Sequence, residues 1–514
     1  MKPSTDLFDL IKALSKSEKR FFKLSSSLQA GEKNYLKIFD AVDKQKEYDE
    51  DQIKDAFKGE TFIKHFPSEK NHLYKLILKS LRAYHSDNSV SSILKQEIKN
   101  IEILYKKALY PECNKFLNRA KKMAVTHEKF YYLFELLNWE KLLLEEAYEA
   151  GEFTKDLDAL IREEDDVIEK LRNLASYHVL YSKINYVFRS GGYVRSEIDK
   201  ALVKEISHHA LIEGKDTALS RRAATICYYI QGFCAKANVD YDTAFVKFER
   251  VKEILDENPL IRKDLPKRYI RTLSNLLALQ IDTGKIDEAL AMIETMRSFN
   301  KKAHFSTEDI EIMIFRSTYL SELRIYEKKG DFDKAIALVD DIVTGLEMNQ
   351  EKINKEQELL FMVTIASVYF GAGRYKDSLA WINKVLNDNE TNLRQDIYSY
   401  ARLFNLIVHY ELGNYDLLEY IIKSTTRYLN KRQRNHEMEG TILNYMKQLS
   451  RVAGKPEEME VFAEFKTELD QHLQNGTDQI MLEFFNYPVW ISSKLKGISF
   501  GETAKQEFQQ LIGA

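Results

Sequence analysis

One pattern of glycine followed by a bulky residue recurs along this chain of 514 residues. Seven of its 19 glycines stand two positions before a bulky residue, each at the end of a stretch with helical patterning. The pairs are Gly151 with Phe153, Gly191 with Tyr193, Gly284 with Ile286, Gly330 with Phe332, Gly373 with Tyr375, Gly413 with Tyr415 and Gly454 with Pro456. Two more segments carry the aromatic residue without the glycine, at Tyr110 and Tyr241. Consecutive bulky positions are 40 to 48 residues apart, which predicts an array of similar units.

Each unit has the features of a turn between two helices, which we call a joint. Glycine just past a helix takes up the left-handed conformation that ends the helix. The bulky residue then fills the space between two antiparallel helices, and a small residue three positions later lets them approach closely. That position holds Cys113, Ser196, Ala244, Ala289, Ala335 and Ser378 in six of the units. After Gly330, apolar residues recur at helical spacing through Leu346. We therefore predict a first helix before each joint and a second helix after it.

The composition supports an all-α fold outside the joints as well. Gly (19) and Pro (7) together make about 5% of the chain, where roughly 12% is average. An all-β sandwich would need turn residues every 8–12 positions. Hydrophobic residues at 44% and charged residues at 30% are globular values.

The units resemble the tetratricopeptide repeat (TPR), most closely in the segments GDFDKAIALV (330–339) and GKIDEALAMI (284–293). The resemblance covers about residues 95–470. The TPR unit has 34 residues, so the units here resemble a variant with longer helices, like the arrays of bacterial peptide-sensing regulators and transcription activators. The resemblance implies a right-handed α-solenoid of about nine antiparallel helix pairs. It also implies that the first helices line a concave groove that binds a protein or peptide partner.

Residues 1–90 and 476–514 do not fit the repeat, so three regions are predicted: an N-terminal helical module (1–90), the array (91–475) and a C-terminal helical cap (476–514). In the module, helices are expected at 5–14, 17–28, 34–44, 50–57 and 69–85. The segment 484–490 is dense in aromatic residues. Because repeat arrays need a cap over their exposed apolar end, capping is the main interpretation of this segment, with partner docking as the alternative.

The candidate partner-binding groove follows from the positions of the first helices. Residues about one to three turns before each joint are rich in Tyr and Phe, which are common in binding hot spots. The candidates are Tyr105, Tyr148, Tyr181, Asn185, Phe188, Arg189, Tyr229, Phe233, Arg324, Lys328, Phe370, Tyr400 and Tyr410. The alternative interpretation is that longer helices bury this aromatic row in the core.

Two basic clusters are candidates for an acidic partner or nucleic acid. The 69–85 helix carries Lys75, Lys79 and Arg82 opposite its apolar face, and a second cluster contains Lys431, Arg432 and Arg434. A DNA-reading module is one interpretation of the first cluster. Solvated helix faces are the usual cause of such clusters, so a capping bundle with a solvated basic face is the main interpretation of residues 1–90.

No catalytic motif accompanies these patterns. There is no phosphate loop, Rossmann glycine pattern or zinc-spaced cysteine set, so no cofactor or metal is expected. The formal net charge of −3 gives no general attraction to nucleic acid or membranes. Three cysteines and no apolar run of 18 residues fit a cytoplasmic protein with reduced thiols.

Three functions remain as hypotheses at this point. The first is a non-catalytic protein–protein interaction scaffold that binds a partner segment in the groove. The second is a ligand- or peptide-sensing transcription regulator whose residues 1–90 contact nucleic acid. The third is an enzyme whose carboxylates are brought together only by folding.

Overall fold

The computed structural model describes residues 4–27, 34–151, 157–191, 197–302, 304–350, 352–388, 395–432, 436–474, 482 and 484–513. All the regular elements in these ranges are helices, which confirms the all-α class. The chain forms two compact units, Met1–Ile168 and Glu169–Ala514. The joint residues Phe153, Tyr193 and Ser196 lie outside the described residues.

The first unit begins with a small helical bundle. Its helices are α1 (Asp6–Ala13), α2 (Lys16–Ser27), α3 (Asn34–Lys44), α4 (Glu50–Ala56), a 3₁₀ turn (Thr61–His65) and α5 (Phe66–Tyr84), followed by α6 (Val90–Lys106), α7 (Tyr110–Thr126) and α8 (Phe130–Glu149). Helices α1–α5 agree with the five expected between residues 5 and 85. They share one apolar core, to which α5 contributes Phe66, Leu73 and Ile77.

The second unit contains most of the predicted joints. Residues of helix α9 (Leu157–Gly191) belong to both units. It is followed by α10 (Glu197–Ser207), α11 (Ala210–Glu213), α12 (Arg221–Ala237), α13 (Tyr241–Glu257), α14 (Pro259–Asp264), α15 (Pro266–Asp282), α16 (Ile286–Ser298), α17 (Glu308–Lys329), α18 (Phe332–Ala337), α19 (Val339–Met348), α20 (Lys355–Gly371), α21 (Tyr375–Leu386), α22 (Gln395–Glu411), α23 (Tyr415–Lys431), α24 (Glu437–Leu449), α25 (Lys455–Gln474), α26 (Tyr487–Lys496) and α27 (Phe500–Gly513). Helices on either side of a joint pack together, as in α12 with α13, α15 with α16, α20 with α21 and α22 with α23.

The joints have the backbone geometry expected from the sequence. Gly284, Gly330, Gly373 and Gly413 have φ angles of 77°, 68°, 73° and 71°, in the left-handed region. At each of them, the N–H of the next residue donates to the carbonyl five positions earlier, over 2.8 to 3.0 Å. This bond ends the first helix in the Schellman manner. The two joints that lack glycine adopt the same conformation, with Ala108 at φ 55° and Val239 at φ 62°.

The bulky and small residues of the joints are buried where the joint is tight. Phe332 and Ile286 lie in the apolar core, and Cys113, Ala289 and Ser378 are fully buried. At Gly371 the ring of Phe332 occupies the space that a β-carbon would need, since its nearest ring atom would lie 2.0 Å away. The bulky joint residue Phe332 therefore packs closely against the neighbouring helix α20.

Three features depart from the expected array. Gly454 does not adopt the left-handed conformation. Helix α9 continues unbroken for 35 residues, where a 40-residue unit would need a reversal between two helices. A further joint of the same backbone type, at Glu128 (φ 50°) before Phe130, connects α7 to α8. None of the helices that the structure describes has the length and apolar character that a bilayer span requires.

Candidate functional site

The predicted groove residues lie mainly on the first helices, so their surroundings decide which of them a partner can reach. We call the surface formed in the second unit by α9 after residue 169 and by α12, α15, α17, α20 and α22 the first-helix face. It divides into a covered half, on α17, α20 and α22, and an open half, on α9, α12 and α15.

The covered half is occupied by the chain's own C-terminal segment. The ring of Tyr400 stacks on Phe484 with 4.8 Å between ring centroids, and its hydroxyl donates to the Phe484 carbonyl at 2.9 Å. The ring of Phe370 meets Phe485 edge-on at 5.1 Å, and Phe404 packs against Phe485 at 5.0 Å.

The next residues extend this contact along α22. The indole N–H of Trp490 donates to a buried carboxylate oxygen of Glu411 at 2.6 Å, and Lys494 Nζ lies 2.6 Å from the same side chain. Trp490 packs edge-on against Tyr410, whose hydroxyl donates to Glu458. Phe370, Tyr400 and Tyr410 are therefore core residues, and their prediction as partner contacts was wrong. The physical reason is that the C-terminal segment packs over the first helices.

Beside the segment lies a cavity of about 440 Å³ that contains two other predicted residues, Arg324 and Lys328. Arg324 lies 3.3 Å from Asp282, and Lys328 donates to the Ile281 carbonyl at 2.9 Å. Glu327 also lines this cavity, and burial raises its pKa to about 7 against the smaller opposing effects of Ser367 and Arg324. The two predicted cations thus hold carbonyl and carboxylate groups of α15.

The open half contains a cluster of rings that is only partly accessible. Tyr229 is buried, so a partner segment on the surface does not reach it. The centroid of its ring lies 5.0 Å from that of Phe233, whose ring is tilted against Phe188 at a centroid distance of 4.8 Å. Phe233, Phe188 and Tyr181 are half-buried.

Two other predicted residues of α9 add little to a contact surface. The side-chain amide of Asn185 donates to the Tyr181 carbonyl one turn earlier, at 2.8 Å. The Arg189 side chain lies outside the described residues.

The two predicted residues of the first unit are half-buried. Tyr105 donates to Glu146 at 2.7 Å, and this bond together with burial raises the Tyr105 pKa to about 12. Its ring packs edge-on against Trp139. Tyr148 lies near the end of α8.

The open half contains a second cavity, of about 460 Å³, which we call the arginine cavity. It is lined by Tyr181, Ile226, Tyr229, Asp264, Leu265, Pro266, Lys267, Arg268, Arg271, Thr307, Asp309 and Ile310. Tyr181 and Tyr229 form its aromatic wall, with their ring centroids 5.7 Å apart. The Arg271 guanidinium lies 3.5 Å from the Tyr181 hydroxyl.

The charges of this cavity do not balance within the part of the chain that the structure describes. Arg222 pairs with Asp264 at 2.6 Å, and Lys267 forms a close ion pair with Asp309. Arg268 donates only to neutral oxygens, those of Thr225 at 2.8 Å and of the Arg222 carbonyl at 3.4 Å. Burial, added to the nearby charges of Arg222 and Arg271, lowers the Arg268 pKa to about 10.

Sequence reasoning missed Arg268 and Arg271, although a signal was present. Arg268 stands in the first turn of α15, and Arg222 stands in the first turn of α12; neither turn contains an acidic residue. Because the first turn of a helix is the positive end of its dipole, cations there are unfavourable unless an anion is near. A basic first turn is thus a signal for an anion site.

The basic clusters are exposed where they are described. Lys75, Lys79 and Arg82 are exposed on α5, and Lys431 is exposed at the end of α23. Arg432 stacks over the Tyr428 ring at 4.7 Å and donates to Gln395. Arg434 lies outside the described residues.

The described residues also contain three buried, unbridged cysteines: Cys113, Cys227 and Cys234. Burial raises the Cys234 pKa to about 11, so this thiol is a poor nucleophile at neutral pH. No group of three or more His, Cys, Asp or Glu in the described ranges is arranged to hold a metal ion. No protein-family model matches the chain, and no curated protein is significantly similar to it.

Proposed function

We propose that the protein is a non-catalytic interaction scaffold, and that it binds an extended or helical segment of a partner protein on the open half of its first-helix face. The binding region comprises Tyr181, Phe188, Phe233 and Arg271. In this proposal the protein is a TPR-like solenoid. It acts in the cytoplasm, where its unbridged cysteines stay reduced.

The observation that carries the proposal is the covered half. There the first helices bind an aromatic segment by ring stacking and by a hydrogen bond from Tyr400 to a main-chain carbonyl. Side-chain pockets combined with main-chain hydrogen bonds are how proteins recognise peptide segments. In the part of the chain that the structure describes, the open half carries similar rings beside a cavity, without a covering segment.

Cross-linking with mass spectrometry tests the proposal on the full-length protein in extracts of its native cells. Lys267 is a half-exposed lysine at the arginine cavity and serves as the reporter. We expect partner cross-links at Lys267 that are lost in the double variant Tyr181→Ala/Arg271→Ala. The matched control is Tyr186→Ala, because Tyr186 lies on the same helix and is 67% exposed. Cross-links that persist in the double variant would contradict the proposal.

A second candidate function is nucleic-acid binding by residues 1–90. The supporting observation is that α5 buries Leu73 and Ile77 in the module's core and exposes Lys75, Lys79 and Arg82. Phosphate contacts by such side chains make binding depend steeply on salt.

Mobility shift at low salt with mixed-sequence DNA and RNA tests this candidate. We expect a salt-dependent shift that Lys75→Glu/Lys79→Glu abolishes. The control variant Lys58→Glu/Lys64→Glu, with the same change of charge at exposed positions between α4 and α5, should bind normally. No shift at any salt concentration would remove this candidate.

A further inference from the structure

The arginine cavity carries an inference that stands independently of the partner protein. Its volume of about 460 Å³ is within the range of roughly 300–1,000 Å³ that is usual for small-molecule sites. Its wall combines apolar side chains, such as Ile226 and Ile310, with a few convergent polar groups, as ligand sites do.

The charges around the arginine cavity do not cancel. The two carboxylates, Asp264 and Asp309, are each paired with a cation. Arg268 and Arg271 remain, and among the described residues no carboxylate pairs with either. When Arg222, which lies behind the wall and pairs with Asp264, is counted with the lining residues, the site carries two positive charges in excess.

Holding Arg268 in the cavity wall without a counter-charge costs free energy. A guanidinium that is partly removed from water and bound only to neutral oxygens loses hydration without gaining a counter-charge. The first turn of α15 adds the positive end of a helix dipole at the same place. The positive charge of Arg268 also contributes, after burial, to lowering the pKa of His178. Such a site gains most from an anion.

The groups of the cavity wall favour an anion with a single negative charge. Guanidinium groups bind carboxylates and phosphates in the same bidentate manner. Asp264 and Asp309 line the same cavity, so a second negative charge on the ligand would be repelled. The Tyr181 hydroxyl beside Arg271 offers another hydrogen bond, and the Tyr181 and Tyr229 rings offer an apolar surface next to it.

We propose that Arg268 and Arg271 form an oxyanion site that binds the carboxylate of a small molecule or peptide end, with Tyr181 packing against an adjoining apolar or aromatic group. The ligand class is a monocarboxylate with a ring or branched chain next to the carboxylate. The site needs no metal and performs no covalent step.

Titration calorimetry of the full-length protein tests the assignment with three probes of similar size. N-acetylphenylalanine supplies a carboxylate and a ring, N-acetylphenylalaninamide supplies the ring without the charge, and phenyl phosphate supplies a ring with a phosphate. We expect N-acetylphenylalanine to bind and its amide to bind at least roughly tenfold more weakly, because charged hydrogen bonds are lost. Equal affinity of acid and amide, or no binding of the acid, would overturn the proposal. Tighter binding of phenyl phosphate would overturn its assignment to a carboxylate.

Variants separate a ligand role from a structural one. Arg268→Met should weaken binding of the acid at least roughly tenfold, and it should leave the melting temperature unchanged or raise it, since it removes an unpaired, partly buried charge. Arg268→Lys should retain part of the affinity, because it keeps the charge and loses the planar fork. A melting temperature that falls in Arg268→Met would mean that Arg268 is structural and would overturn the proposal.

A second variant keeps the test independent of folding. Arg271 is exposed, so Arg271→Met should fold normally, and we expect it to weaken binding of the acid several-fold. The matched control is Arg250→Met, which removes a half-exposed arginine of α13 that pairs with Glu253. Loss of binding in the control, or unchanged binding in Arg271→Met, would count against the site.

Discussion

The two halves of the first-helix face carry similar aromatic residues but differ in what lies over them. On α20 and α22, Phe370 and Tyr400 are fully buried beneath Phe484 and Phe485. On α9, Tyr181 stays half-buried at the edge of a cavity. An aromatic residue on a first helix is therefore part of the core where a distant segment of the chain covers it, and part of the surface where none does.

The largest expected effect compares one tyrosine from each half. Tyr400→Ala should destabilise the second unit by about 3–5 kcal/mol, because it leaves a large cavity and removes the bond to the Phe484 carbonyl. Tyr181→Ala should cost about 1 kcal/mol or less, since its ring is already half in solvent.

Chemical denaturation of both variants measures the difference between the halves. Tyr420→Ala, at a 74% exposed tyrosine on α23, is the control and should lie within about 0.5 kcal/mol of the unsubstituted protein. Equal losses at Tyr400 and Tyr181 would mean that the C-terminal segment does not distinguish the two halves in solution.

The next effect compares two joints with the same backbone conformation. A β-carbon at Gly330 would lie 2.7 Å from the Gly501 carbonyl oxygen and 2.8 Å from the Lys505 nitrogen, whereas at Gly373 it would meet nothing within 4 Å. Gly373→Ala should therefore cost only the left-handed strain of about 1–2 kcal/mol. Gly330→Ala should cost more, because α27 must also move away.

Melting temperatures of the two variants check this difference. The comparison is internally controlled, since the φ angles differ by only a few degrees, at 68° and 73°. If Gly373→Ala is as damaging as Gly330→Ala, α27 does not press against the joint. Gly330→Val should be worse still, because β-branched residues resist positive φ.

These comparisons show which parts of the structure were readable from the sequence. The joints were predictable because a left-handed turn depends on a few neighbouring residues, and even Ala108 and Val239 followed from their spacing to Tyr110 and Tyr241. The unbroken α9 also had a local signal, since residues 157–190 contain no Gly or Pro.

The state of the candidate site was not readable in the same way. Whether Tyr400 is core depends on Phe484, which is 84 residues away in sequence. Whether Arg268 is paired depends on Asp264 and Asp309 having other partners. Both are outcomes of long-range packing, which spacing along the chain does not encode.

The last comparison concerns a pH dependence at the boundary of the covered half. Burial raises the pKa of Glu327 to about 7, whereas an unfolded glutamate titrates near 4.5. The folded protein therefore binds more protons than the unfolded chain between these values, so this residue's stabilising effect is complete below pH 4.5 and is lost as the pH rises through 7. The stability of the unsubstituted protein should fall between pH 5 and pH 8 relative to Glu327→Gln, which stays neutral throughout. Urea denaturation of both proteins at several pH values measures this difference. A difference that does not change with pH would mean that water reaches Glu327 and that the C-terminal segment leaves this part of the face open.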